Sequence, residues 1–176
     1  KTASEGGTAQ KLSEVFSKTK TECAPLKKHR LGEAYERLRD QSDRWLELKG
    51  ARPLALIICL GTQSDYTPRV NFSKNYLAAG GIESRELNTD PLKLKEAIDG
   101  LNCDLIVICS SDKVYSEALE TTVKVLKSCG AGMIVLASNP GAKEKVLRDL
   151  GVDLFIHAKD NMLETLSKIA QRIGMG

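Results

Sequence analysis

Five strand-like runs, apolar at 54–60, 104–109, 132–137 and 153–157 and shorter and alternating at 82–87, take turns along the chain with five segments of helical spacing. The run at 54–60 is unbroken, and Leu105 to Cys109 is nearly as uniform. A strand with one wet face alternates apolar and polar residues, so an unbroken run predicts burial on both faces. Short polar links join each run to the helical segment after it. Strand and helix in strict alternation force neighbouring strands to lie parallel, because each crossover carries a helix back over the sheet.

Five such units in about 125 residues predict an α/β fold, a flavodoxin-like five-stranded parallel sheet of order 2-1-3-4-5 flanked by helices. Thr67 followed by Pro68 predicts an N-cap and first helical position, with the helix running to Gly80 and Gly81. Further helices are expected at 91–98, 113–128, 142–150 and 160–172. In the third of these five helices, Tyr115, Leu119, Thr122 and Leu126 share one face. Upstream, 1–7 reads as a tail, 8–21 as a short helix ended by Pro25, and 27–30 as a basic linker. The spacing predicts a better helix over 31–49, with Leu31, Tyr35, Leu38, Trp45 and Leu48 on one side and Ser42 interrupting them. Gly50 to Pro53 marks a boundary. Residues 1–50 are therefore expected to form a helical extension and 51–176 the α/β domain. The chain starts at a lysine, which suggests a piece of something longer.

Charge narrows the function classes. Eleven basic and eight acidic residues fall in 1–50, and fifteen of each in the rest. A neutral main domain lacks the concentrated basic surface that nucleic-acid phosphates require. No apolar run approaches the roughly 18 residues of a membrane span. The five cysteines, Cys23, Cys59, Cys103, Cys109 and Cys129, form no C-x-x-C pair. That argues against a zinc ribbon or a dithiol redox site, and scattered thiols fit a reducing compartment such as the cytoplasm.

Ligands of such sheets bind beyond the carboxyl ends of the strands, where the first and third strands part. The expected site is therefore 61–67, 109–113 and 137–141. Its first turn has one glycine and no G-x-G-x-x-G or Walker sequence, though Thr62, Ser64 and Thr67 offer phosphate donors. Asp65 and Asp112 stand where two carboxylates of a phospho-acceptor site would approach each other, but the first strand ends without one. Cobalt ligation by a corrin-binding domain requires a histidine in the first turn, in the pattern D-x-H-x-x-G. The two histidines, His29 and His157, lie elsewhere. No nucleophile elbow accompanies Ser110 and Ser111.

Longer stretches carry a resemblance. Arg52-Pro53-Leu54 leading to Cys59-Leu60-Gly61-Thr62, then Phe72-Ser73-Lys74-Asn75-Tyr76 leading to Ala79-Gly80-Gly81-Ile82-Glu83, resembles the C-terminal domain of the small subunit of heterodimeric methylmalonyl-CoA mutase. Cys109 to Tyr115 and the connector from Arg30 to Asp40 resemble it too. The resemblance implies a large subunit that binds adenosylcobalamin and interconverts methylmalonyl-CoA and succinyl-CoA. It also implies a non-catalytic small subunit with a degenerate cobalamin-type domain. In an ungapped overlay the D-x-H-x-x-G positions fall on Gln63, Asp65 and Pro68, so all three groups are replaced. Ser110 and Ser111 match serines of the binding version, Asp112 stands where leucine is usual, and Gly141 alone represents a glycine pair. The resemblance thus implies a chain that holds no cofactor or metal of its own and supports the large subunit. The alternative is a module that holds cobalamin or another nucleotide without a histidine ligand. The helix over 31–49 is expected to pack either between domains or on its own domain.

Overall fold

The computed structural model describes residues 6, 8–10, 30, 32–91, 93–101 and 103–175. The chain divides into two units, Lys1–Arg30 and Leu31–Gly176. In the first, Ala9 and Gln10 are helical. The rest of the helix expected over 8–21, with Cys23, Pro25 and the basic run including His29, lies outside the described residues.

The second unit is built as α1 (Glu33–Lys49), β1 (Leu54–Cys59), α2 (Gln63–Ala79), β2 (Glu83–Asn88), α3 (Leu94–Ile98), β3 (Leu105–Cys109), α4 (Asp112–Ser128), β4 (Ile134–Leu136), a 3-10 turn (Gly141–Lys143), α5 (Glu144–Leu150), β5 (Leu154–Phe155) and α6 (Met162–Ile173). Every strand pair is parallel, and the order is β2-β1-β3-β4-β5. This is the expected doubly wound sheet. No described helix is long and apolar enough to cross a membrane.

The strands sort their side chains by parity, as a pleated backbone must. Ala55, Ile57, Cys59, Val107, Cys109 and Val135 face a core shared with α1, α2 and α6. Leu56, Ile58, Ile106, Ile108, Ile134 and Leu136 face a second core under α3, α4 and α5. Tyr115, Leu119, Thr122 and Leu126 are all buried in α4, on the face that their spacing predicts. Cys59 and Cys109 sit side by side in register on the two central strands. Both are fully buried free thiols. Loss of solvent pushes Cys59 up to about 11 and Cys109 up to about 12, so each behaves as a small apolar residue.

Two expectations about helices need correction. Ser42 does not interrupt the buried face of α1; it is its tightest point. It is fully buried and donates to Gly81 O at 2.6 Å while accepting from Arg52 Nη1 at 2.8 Å. Gly81 has φ +76°, and a Cβ there would meet the Ser42 Cβ at 2.7 Å. A small residue on α1 and a glycine in the turn after α2 let the two backbones meet. Leu48, by contrast, is 84 % exposed, because the buried stripe of α1 has turned away by its last turn. Trp45 packs partly buried on the first core, with Lys49 Nζ 4.8 Å above its ring. The α1 helix thus packs on the α/β unit itself. Leu31 lies outside the described residues.

The second correction concerns α2. It starts at Gln63 with Thr62 as N-cap, five residues before the Thr67–Pro68 start that the proline suggested. Pro68 lies in its second turn, where it removes the N–H that would reach Ser64 O. Thr67 Oγ1 donates to Gln63 O at 2.6 Å instead of capping. At the far end of α2, Tyr76 donates to Asp160 Oδ2 at 2.5 Å, and Thr165 Oγ1 reaches Asp160 Oδ1 at 3.0 Å. These bonds tie α2 to the start of α6.

Candidate functional site

The carboxyl ends of β1 and β3 part at Leu60 and Ser110, and the residues after them form the crevice. Gly61 has φ +84° and turns the chain directly into α2; a Cβ there would come within 3.0 Å of Asp65 Oδ2 and 3.1 Å of Val114 Cγ2. No extended loop intervenes. Asp65 closes a capping-box pairing with Thr62. Its Oδ2 accepts from Thr62 N at 3.0 Å and from Thr62 Oγ1 at 2.5 Å. Its Oδ1 accepts from Ser111 Oγ at 3.0 Å, across the crevice. The Thr62 bonds first, then the Ser111 bond, hold its carboxyl below the ordinary carboxylate range.

On the other side, Ser111 caps α4 by accepting from Val114 N at 3.4 Å. Asp112 is the first residue of that helix, where a negative charge meets the positive end of the dipole. Ser110 is fully buried, and its Oγ donates to Leu60 O at 2.6 Å, pinning the ends of β1 and β3 together.

Arg69 completes the arrangement. One turn beyond Asp65 on α2, it donates from Nη1 to Ser110 O and from Nη2 to Asp112 Oδ1, each at 2.6 Å. Its guanidinium carbon stands 5.0 Å from the centre of the Tyr115 ring. The Tyr115 hydroxyl accepts from Ser110 N at 2.9 Å and donates toward Ile108 O at 2.9 Å and Ala137 O at 3.3 Å.

Asp65, Ser110, Ser111 and Asp112 therefore meet where the sequence places them. Gln63 and Pro68 sit exposed on the first turns of α2, and Gly141 opens the exposed 3-10 turn with its N–H held by Asn139 Oδ1 at 3.1 Å. None of these three adds a side-chain bond to the crevice. Arg69 and the Tyr115 hydroxyl are the members that sequence reading missed. The signal for Arg69 was its i,i+4 spacing from Asp65, which puts both on the same face of the helix.

The residues do not fit a cobalt-ligating site. The turn that should present an imidazole is a helix start, with Asp65 turned onto its own N-terminus. His157 lies after β5, where its Nδ1 accepts from Lys159 N at 3.2 Å. A phospho-acceptor cluster fits no better, since β1 ends without a carboxylate and Asp65 is held by Thr62 and Ser111. Among the described residues no group of three or more His, Cys, Asp or Glu is placed to hold a metal ion. A cavity of about 730 Å³ opens at the opposite end of the sheet, among Lys95, Cys103, Asp104, Cys129 and Met133. Another of about 510 Å³ lies between α1, α2 and the start of β2. Neither is lined by a residue of the crevice.

No family model matches the chain. It is similar to the methylmalonyl-CoA mutase small subunit of Streptomyces virginiae, 32 % identical over 152 residues, which cover 85 % of this chain and 24 % of that protein. A probable methylmalonyl-CoA mutase small subunit of Mycobacterium tuberculosis is 33 % identical over 155 residues, covering 86 % of this chain and 24 % of its own length. The chain thus spans about a quarter of the curated relatives it matches. Among solved structures, a cobalamin-binding protein from Desulfitobacterium hafniense superposes with a TM-score of 0.51 at 16 % identity, covering 93 % of this chain and 76 % of that one. The receiver domain of a sensor histidine kinase from Pseudomonas aeruginosa gives 0.53 at 11 % identity, covering 70 % of this chain and 99 % of that one. At such identities the two structures speak for the fold alone.

Proposed function

The homologues of this chain are methylmalonyl-CoA mutase small subunits, and from that relationship we propose that it is the degenerate cobalamin-type domain of such a subunit. In this reading it takes no part in the chemistry. It supports a large subunit that carries adenosylcobalamin and isomerises methylmalonyl-CoA and succinyl-CoA. The observation that supports this most is the crevice between β1 and β3. Its side chains bond to each other and to the backbone, with Asp65 on Thr62 and Ser111 and Arg69 on Ser110 and Asp112. Among the described residues no imidazole converges there.

Two measurements test the proposal. An absorbance titration of the chain with cobalamin is expected to show no saturable spectral change. Saturable binding would favour instead a module that holds cobalamin without a histidine ligand. The longer small subunit that contains this domain is expected to co-purify with the large subunit. If it does not, the supporting role is lost.

A further inference from the structure

The crevice that the proposed function leaves without a cofactor is crossed by the Asp65–Ser111 bond and, from the next turn of α2, by Arg69. We propose that Arg69 is its built-in occupant, a guanidinium held by the strand-end turns as a bound ligand would be. This rests on the reading that the domain takes no cofactor at that place.

The geometry uses each recognition feature a guanidinium has. Two nitrogens of its planar fork donate at 2.6 Å, one to a backbone carbonyl and one to a carboxylate. Its carbon lies over an aromatic ring at 5.0 Å. These contacts come from the β3–α4 turn, and through the Tyr115 hydroxyl they continue to Ile108 O and Ala137 O at the ends of β3 and β4. Arg69 itself is anchored on α2, which follows β1. One cation therefore joins the elements after β1 and β3 and touches a residue that reaches the end of β4. The Asp112 carboxylate is 80 % exposed, and pairs of that kind contribute little. The bond to Ser110 O is different: the arginine is only 28 % exposed, and its acceptor belongs to a fully buried residue.

Hydrogen exchange on the chain and on Arg69→Ala, each with millimolar methylguanidinium chloride or methylammonium chloride, tests the idea. Removing the side chain is expected to speed exchange of the bonded amides of Asp65, Tyr66, Ser110, Val114 and Tyr115 by about tenfold or more, the weight of one charge-assisted hydrogen bond. Methylguanidinium is expected to restore most of the protection and methylammonium little, since only the former has the planar fork. Unchanged exchange in Arg69→Ala, or restoration by methylguanidinium no better than by methylammonium, overturns the proposal. If the alanine variant does not fold, Arg69→Lys keeps the charge and loses the fork. Faster exchange confined to the same turns then supports the proposal, and unchanged exchange overturns it. Cobalamin binding by the unsubstituted chain would defeat the parent reading alone, and a silent Arg69 variant would defeat this one alone.

Discussion

Asp65 accepts three hydrogen bonds, and they act on its ionisation. Its folded-state value is depressed, so its contribution is present above the unfolded value of about 3.9 and is lost as pH falls through the folded one. The expected outcome is an NMR carboxyl titration of Asp65 with a midpoint below that of an unfolded aspartate. Asp65→Asn should remove that step and loosen the start of α2. A midpoint at or above about 3.9 would contradict the cap described here. The place of the crevice was legible in the sequence, because Asp65, Ser110, Ser111 and Asp112 lie in the turns that follow two apolar runs; its caps were not, since α2 is capped by Thr62 rather than Thr67. Arg69 was not, because Pro68 drew the expected helix start past Asp65 and so hid the one-turn spacing between Asp65 and Arg69. An arginine counted on a helix flank reads as a solvated charge, and only the parting of β1 and β3 gives it acceptors.

The elements show where apolar pattern and hydrogen-bonded ladder part company. Leu60, Met133, Ala137, Val152 and Ile156 are buried, yet they lie just outside β1, β4 and β5. An apolar run reports burial, and burial extends past the last ladder bond. The strand edges were therefore legible only to within a few residues, while strand order was legible outright. Ser42 was misread for a related reason: a polar residue inside an apolar stripe looks like a defect until a backbone carbonyl is found opposite. Gly81→Ala tests that contact. The substitution forces a side chain into the left-handed region and against Ser42, so urea denaturation should show a loss of at least about 1–2 kcal/mol. A loss within experimental error would show that α1 can shift aside without cost.

At the scale of the whole unit, α1 shares its core with the sheet rather than riding outside it. Leu38 is buried, and Tyr35 and Trp45 pack on the cluster that holds Val107, Leu166 and Ile169. The single tryptophan is thus a reporter placed on the N-terminal helix but packed against the domain. Urea unfolding followed by tryptophan fluorescence and by far-ultraviolet circular dichroism should give coincident transitions. An earlier fluorescence transition would mean that α1 detaches first and that the α/β unit stands without it. This coupling was only half legible: the stripe on α1 foretold burial, but a stripe does not name the surface that covers it.

The direct passage from Gly61 into α2 has a consequence for engineering. A histidine introduced at position 65 would stand on a helical turn, and it would displace the carboxylate that starts that turn. Arg69 would still hold the helix start in place through its bond on the far side. Building a ligand loop there would therefore require several coordinated changes. This corner of the fold resists redesign one residue at a time, because each side chain that would have to move is also holding the helix start together.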